Sequence, residues 1–202
     1  MGGGRILMLC GPSAVGKSTL CKLLLADYPK LFSFGISHTT RSLRESEVDG
    51  VHYIKTTKEQ MERDVREGKF AEHARIHDEL YGTSFSTLEA IQNQGKIALL
   101  DVDLHGVRSI KATDLDSKCV GIVPPTFDIL EERLRDRKSE TEEEIQLRLE
   151  RALMEIEFCN NDPLVDELII NFNSWTHSYP LLKGHIQEWW PDVVLADKNN
   201  DD

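Results

Sequence analysis

Eight residues near the start of the chain, Gly11-Pro-Ser-Ala-Val-Gly-Lys-Ser18, have the types and spacing of a phosphate-binding loop. Gly11 and Gly16 let the backbone turn its N–H groups toward phosphate oxygens with no Cβ in the way. Lys17 supplies a mobile point charge for β- and γ-phosphates and Ser18 a hydroxyl ligand for magnesium. A helix that starts at such a loop adds the positive end of its dipole. These residues point to a nucleoside triphosphate, but GTPases, ATPases, nucleotide kinases and inactive binding modules all fit them. The rest of the chain must decide.

Further along, Arg41 and Arg44 lie in one short polar segment and offer planar forks to phosphate oxygens. Ser37, Tyr53 and Tyr81 can add hydroxyl donors to the same anion. Asp101 and Asp103 close an apolar run, where a carboxylate can sit near magnesium. A third group of cations lies between Arg133 and Arg151, interleaved with glutamates at 131, 132 and 142–144.

The elements that must hold these residues are legible in outline. Arg5 to Cys10 is a continuous apolar run, the mark of a strand buried on both faces. After the glycine loop, Leu20, Leu23, Leu24 and Tyr28 recur at helical spacing until Pro29. From Ser37 to about Asn93 the texture changes. Short strands are expected at Val51–Thr56 and Phe70–Ile76, with a charged helix at Lys58–Glu67, as an inserted lobe. Ile97–Asp103, Cys119–Val123 and Leu168–Ile170 read as further buried strands. Thr141 and Glu144 have capping-box spacing, and Ile145, Leu149, Leu153 and Ile156 mark one face of the helix that follows. The fold expected is an α/β parallel sheet flanked by helices.

At 202 residues and 40% hydrophobic, the chain is long and apolar enough for one domain with a real core. A formal charge of -11 argues against a protein that coats nucleic acid or an anionic membrane. Any anion must be caught locally, against the overall field. Cys10, Cys21, Cys119 and Cys159 are scattered, which fits a reduced intracellular protein. The apolar run from Ile6 to Cys10 is too short for a signal peptide or a membrane span, so a cytoplasmic location is expected. His73 and His77 are expected on a strand, too far apart to hold one ion without a third ligand. Trp175, Trp189 and Trp190 read as packing residues of a C-terminal helix rather than a base-stacking platform.

From Arg5 to about Asn171 the chain resembles the guanylate kinases. The pieces that carry the likeness are the glycine loop, Ser37-His-Thr-Thr-Arg41, Glu47-Val-Asp-Gly50 with Tyr53, Phe70-Ala-Glu72, Tyr81-Gly-Thr83, Leu100-Asp-Val-Asp103 and Glu140-Thr-Glu-Glu143. Seven pieces in order are far more specific than the loop alone. The resemblance implies a nucleoside-monophosphate-kinase-like fold with a core (1–36, 95–132, 157–202), a GMP-binding lobe (37–94) and a helical lid (133–156). It implies ATP and GMP as small-molecule partners, Mg2+ as cofactor, and a monomer or small homo-oligomer. ATP would be held by Gly11, Pro12, Ser13, Ala14, Val15, Gly16, Lys17, Ser18 and Thr19, with Arg133, Arg137 and Asn171. GMP would be held by Ser37, Arg41, Arg44, Tyr53, Glu72, Tyr81, Gly82, Thr83, Asp101 and Asp103. In that family Glu72 reads the guanine N1–H and N2–H donors while Thr83 donates to O6. Lys17, Arg41, Arg137 and Arg148 would be catalytic, and Ser18 with Asp101 would sit by the metal.

Four departures from the family pattern stand out. Ala14 replaces a usual glycine, Lys138-Ser139 a usual Gly-Thr, His73 a common tryptophan, and Phe172-Asn173 an acidic pair on the adenine side. The alternative reading is a catalytically inactive guanylate-kinase-like module that binds phosphorylated proteins. The intact loop and the retained Arg137 and Arg148 speak against it.

Overall fold

Arg5–Cys10 forms strand β1, and every residue from Ile6 to Cys10 is fully buried. A strand without a polar face belongs inside a sheet covered on both sides. The computed structural model of the chain, which describes residues 4–76, 78–136, 141–172 and 175–195, places it there. β1 is the middle strand of a five-stranded parallel sheet. On one side lie β7 (Ile97–Asp101) and then β2 (Phe32–Phe34); on the other lie β8 (Asp116–Val123) and then β9 (Glu167–Ile170).

Side-chain alternation along β1 divides the core in two. Leu7 and Leu9 pack with Leu20 and Leu24 of helix α1 (Lys17–Asp27) and with Leu182 and Ile186 of α7 (Trp175–Trp189). Ile6, Met8 and Cys10 face the other way, onto Leu88 and Ile91 of α3 (Phe85–Gln92) and Val107 and Ile110 of α4 (Leu104–Lys111). Successive residues of a strand point to opposite faces, so one apolar hexapeptide serves both helical layers. The expected α/β class is what the chain adopts.

A second, four-stranded sheet lies wholly within residues 37–94. Its order is β4 (Ile54–Lys55), β3 (His38–Thr39), β6 (Glu79–Ser84), β5 (Phe70–Ile76). Helix α2 (Lys58–Arg66) packs nearby, capped by Thr57, whose hydroxyl accepts the Gln60 N–H at 3.2 Å. The strand expected over 51–56 shrinks to Ile54–Lys55. The Val51 and His52 N–H groups donate to the Val48 carbonyl, and Gly50, at φ 74°, donates to Tyr53. These turn bonds consume donors that a longer ladder would need.

The capping box at Thr141 and Glu144 is formed, with both reciprocal bonds present, and opens α6 (Glu142–Asn161). Ile145 and Leu149 are buried as expected, but Leu153 is 57% exposed and Ala152 takes its place. On a helix of 3.6 residues per turn each four-residue step advances the stripe by about 40°, so Leu153, two steps from Ile145, has turned about 80° away, while Ala152, seven residues on, stays within about 20° of it. Helices α5 (Phe127–Asp136) and α6 run without interruption through the lid boundaries expected at 132 and 156.

Candidate active site

β1 runs directly into the glycine loop, which lies at the carboxyl end of the parallel sheet, where open α/β sheets bind ligands. Gly11 adopts φ 137°, and a Cβ there would lie 2.0 Å from the carbonyl oxygen of Ile122 on β8. Ala14 is, among the described residues, the non-glycine residue with positive φ, at 64°. That left-handed backbone costs an L-residue about 1–2 kcal/mol, which accounts for glycine being usual at this position. Gly16, the N-cap of α1, offers no side-chain cap, so the first N–H groups of the helix face the loop.

The Lys17 ammonium donates to the carbonyls of Gly11 (2.6 Å) and Pro12 (3.1 Å) and lies 3.6 Å from Asp101 Oδ1. Ser18 Oγ is 3.5 Å from Asp101 Oδ2. One hydroxyl and one carboxylate are hard oxygen donors of the kind magnesium takes when substrate phosphates supply the rest. Among the described residues no group of three or more His, Cys, Asp or Glu could hold an ion unaided. The donor set therefore fits a magnesium ion that arrives with a triphosphate. Asp103 gives one carboxylate oxygen to the N-terminus of α4, accepting the Gly106 N–H at 2.8 Å.

Asn171, just past β9, braces the loop from behind. Its amide Nδ2 donates to the Val15 carbonyl at 2.7 Å, its Oδ1 accepts from Ser178 at 3.0 Å, and its main-chain oxygen accepts from Arg133 at 2.8 Å.

A cleft of about 1370 Å³ runs from Ser13 and Asp101 to the second sheet. Ser37, Arg41, Arg44, Tyr53, Glu72, Tyr81, Asp101 and Asp103 all line it. Arg41 donates to both oxygens of Glu47, at 2.9 and 2.8 Å, and to the Tyr81 hydroxyl at 3.2 Å. The bond to Glu47 holds the Arg41 guanidinium pKa above its ordinary value. The Arg44 main-chain N–H donates to the same carboxylate at 2.8 Å. Glu72 is only 8% exposed, and burial pushes its pKa up against the hydrogen bonds it receives from Thr83. Thr83 lies 1% exposed behind it, with its Oγ1 3.4 Å from Ser37 Oγ. Gly82 permits this closeness: a Cβ there would stand 2.6 Å from the Glu72 carbonyl oxygen. Thr83 and Gly82 thus form the floor behind the cleft rather than its lining.

From the helical side, Arg148 donates to Ser13 Oγ at 2.9 Å, tying α6 to the loop. Arg135 is forked onto Glu142 and Glu131, as its place among the glutamates allows, and holds the Glu142 carboxyl down at about 2. Arg137 and the Lys138-Ser139 departure lie outside the described residues, as do His77 and Asn173.

Two residues on this site escaped the reading of the sequence. Glu155 lines the cleft with Arg148 and Arg151, and burial raises its carboxyl pKa while Lys17 opposes the rise. The spacing 148, 151, 155 was the available signal, since positions three and four apart share a helix face. Trp175 is the other. Packing describes Trp190, which is 4% exposed and donates to Asp116 at 3.1 Å, but Trp175 is 53% exposed. It borders a separate pocket of about 170 Å³ with Ala14, Val15, Gly16, Thr19, Leu20, Arg133 and Asn171.

Comparison with known proteins bears on these geometries. The family model described as guanylate kinase matches residues 3–187. The guanylate kinase of Sus scrofa is 45% identical over 188 residues, which cover 93% of this chain and 94% of that protein. Guanylate kinase 1 of Oryza sativa is 44% identical over 169 residues; the match spans 84% of this chain but 44% of the rice protein's length. Among solved structures, the guanylate kinase from Anaplasma phagocytophilum superposes with a TM-score of 0.68 at 25% identity, covering 93% of this chain and 87% of that one.

Proposed function

The chain belongs to the guanylate kinase family, and from that premise we propose that it transfers the γ-phosphoryl group of MgATP to GMP or dGMP, giving ADP and GDP or, from dGMP, dGDP. The observation that carries this reading is one cleft that reaches from the glycine loop, at Ser13 and Asp101, to the buried carboxylate of Glu72. Guanine presents N1–H and N2–H side by side, and one carboxylate accepts both. Adenine offers neither and would leave Glu72 desolvated and unpaired. Each unmade buried hydrogen bond costs about 1–3 kcal/mol, enough to prefer GMP over AMP.

The reaction asks for positioning and cations rather than a covalent nucleophile. Arg41, Arg44, Ser37, Tyr53 and Tyr81 hold the GMP phosphate in line with the triphosphate on residues 11–19. Lys17, Arg41, Arg137 and Arg148 neutralise the charge that develops on the transferred group. Ser18 and Asp101 would hold magnesium, which would supply Lewis-acid polarisation of the donor phosphates. A phosphate monoester is already dianionic near neutral pH, so no general base is required. We assign residues 1–36, 95–132 and 157–202 to the core, 37–94 to the GMP lobe and 133–156 to a lid that closes over both nucleotides.

The partners proposed are ATP and GMP, with no nucleic acid or membrane, for a cytoplasmic monomer or small homo-oligomer. A net charge of -11 and four free cysteines support this, and no helix among the described residues is long and apolar enough to cross a membrane. The test is ADP release from MgATP with GMP, AMP, IMP or no acceptor. Release with GMP alone is expected. GMP binding without release would favour the inactive phosphoprotein-binding module, and neither binding nor release would mean another acceptor.

A further inference from the structure

Three of the four cysteines meet in one half of the core. Cys10 ends β1, Cys119 lies on β8 and Cys159 on α6, all buried, unbridged and in one cluster with Met8 and Val107. Cys10 is the register partner of Gly121 on β8, and a Cβ on Gly121 would lie 3.0 Å from the Cys159 Cβ. Register partners on parallel strands point to one face of the sheet, about 4.8 Å apart. The side chain missing at 121 therefore lets Cys159 descend to the sheet beside Cys10. There the Cys10 thiol donates a hydrogen bond to the Cys159 sulfur, and the Ile122 main-chain N–H donates to the same atom. The bond from Cys10 above all, with the charge of Lys17, holds the Cys159 pKa below the ordinary thiol value, while that bond and burial push Cys10 up. Cys119 opposes Met8, two residues back along β1, and is pushed up to about 12, chiefly by burial.

A thiol of thiolate character beside a second thiol is the arrangement in which a sulfenic acid is resolved to a disulfide. We propose that Cys10 and Cys159 form a reversible disulfide under a hydroperoxide, and that this bond weakens nucleotide binding by pulling on the phosphate loop. The Cys159 sulfur attacks one peroxide oxygen and the O–O bond breaks. The products are a sulfenic acid and, with the proton from the thiol, one water. The Cys10 sulfur then attacks the sulfenic sulfur; the S–O bond breaks, and hydroxide leaves with the Cys10 proton as a second water. Two thiols lose two electrons and hydrogen peroxide gains them. Cys159 stands one helical turn past Glu155, which lines the cleft, so a small oxidant has a short way in. Hydrogen-bonded sulfurs stand well beyond the roughly 2.05 Å of an S–S bond, so closing it draws the end of β1 toward α6. The next residue, Gly11, has no slack, since even a Cβ there would lie 2.0 Å from the Ile122 carbonyl oxygen. The consequence for binding rests on the phosphotransferase reading above, which puts the triphosphate on that loop.

The experiment treats the whole chain with hydrogen peroxide, maps its thiols by peptide mass spectrometry without reduction, and measures ADP and GMP affinity by calorimetry. A linked peptide joining Cys10 to Cys159 is expected, with ADP bound at least about tenfold more weakly, as displacement of a binding loop allows. GMP affinity should stay within about threefold, because Arg41, Arg44 and Glu72 belong to the other sheet and its loops. Dithiothreitol should restore ADP binding. It does not reduce methionine sulfoxide, so a loss that persists would trace to Met154, which is exposed in the same cleft, and would overturn the proposal. Cys10→Ala and Cys159→Ala should keep ADP binding under peroxide, and Cys119→Ala should lose it as the wild type does. The linked peptide is read in the wild type, so the test survives a variant that fails to fold. A bridge to Cys119, no bridge, a bridge with unchanged ADP affinity, or equal loss of ADP and GMP binding would each overturn the proposal. Turnover is followed alongside. The bridge and the ADP effect in a protein that makes no GDP when reduced would fault the kinase reading and keep the switch; GDP formation with no bridge would do the reverse.

Discussion

One terminal nitrogen of Arg41, Nη2, reaches both carboxylate oxygens of Glu47, at 2.9 and 2.8 Å, a charge-assisted contact of the kind the guanidinium would offer a phosphate. The same carboxylate accepts the Arg44 main-chain N–H. One acidic side chain thus sets the position of both arginines proposed to meet the GMP phosphate. Removing it leaves the Arg41 guanidinium held only by the Tyr81 hydroxyl and the Ser42 carbonyl and loosens the segment from 41 to 47. Glu47→Ala is expected to raise the KM for GMP by about tenfold while leaving the KM for ATP unchanged, in keeping with loss of a charged hydrogen bond. A lower KM for GMP would show instead that Glu47 competes with the phosphate.

Glu72 links burial to pH. Its carboxyl pKa is raised above the ordinary 4.5, chiefly by burial. Between 4.5 and the raised value the folded protein holds a proton that the unfolded chain has lost, so stability falls as pH rises through that window and is flat on either side. Glu72→Gln should therefore gain stability over wild type above the window and not below it, read from urea midpoints across pH. GMP binding runs the opposite way, because the guanine donors need the ionised form. Wild-type affinity should weaken as pH falls through the raised pKa, and the Gln variant should lack that component. The phosphate of GMP titrates near pH 6 but does so with both proteins. A pH-independent affinity ratio between them would refute the assignment.

The residues proposed to bind phosphate stand out in the sequence because that chemistry constrains type and spacing together. Gly11, Gly16 and Lys17 follow from the need to bring backbone N–H groups near an anion, and β1 from an apolar run with no polar face. What stayed hidden was decided by packing at a distance. Nothing local to Thr83 says that Ser37 will stand 3.4 Å away, or that Gly82 will let β5 and β6 close over Glu72. Trp175 resembles Trp190 as a letter, yet one borders the glycine loop and the other is buried against Asp116. The strand expected from Val51 lost to turn bonds at Val48, a contest between two local hydrogen-bond schemes that propensity does not settle.

Ala14 holds a left-handed backbone in a loop that glycine would enter without strain. Relief of about 1–2 kcal/mol exceeds the roughly 0.5–1 kcal/mol that a glycine adds to the entropy of the unfolded chain. Ala14→Gly is expected to stabilise the protein slightly, by about 0.5–1 kcal/mol, or about 1–4 °C in thermal midpoint for a domain of this size. Calorimetry decides it: a lowered midpoint would mean that the Ala14 methyl, which packs against the core, outweighs its backbone strain.

Asn171 is a brace in this arrangement. With its side chain gone, the Val15 carbonyl loses a donor, and the hydroxyl of Ser178, fully buried, loses its acceptor. Asn171→Ala should cost about 1–3 kcal/mol in stability and raise the KM for ATP, because the loop from Ala14 to Gly16 is no longer held. The GMP affinity should not move. An unshifted urea midpoint would show that water replaces the amide, and the bracing role would fall.

Lys17 carries the heaviest demand. Its ammonium sits 2.6 Å from the Gly11 carbonyl and 3.6 Å from Asp101, folded over the loop that is to hold the triphosphate. Phosphoryl transfer spreads charge over the equatorial oxygens of the moving group, and a cation fixed beside them acts in the transition state more than in the ground state. Lys17→Ala is therefore expected to lower kcat by at least roughly a thousandfold, a loss of about 4 kcal/mol in transition-state binding. The affinity for GMP, measured by calorimetry without ATP, should stay within about threefold, because the site proposed for the GMP phosphate, Arg41 and Arg44, lies across the cleft. The Lys17→Arg protein sharpens the test, since a planar fork cannot replace a point charge that must reach past two carbonyls. Full activity in Lys17→Arg would assign the loss in Lys17→Ala to charge alone. Loss of GMP binding in Lys17→Ala would move the lysine to the acceptor side and overturn the division of the cleft.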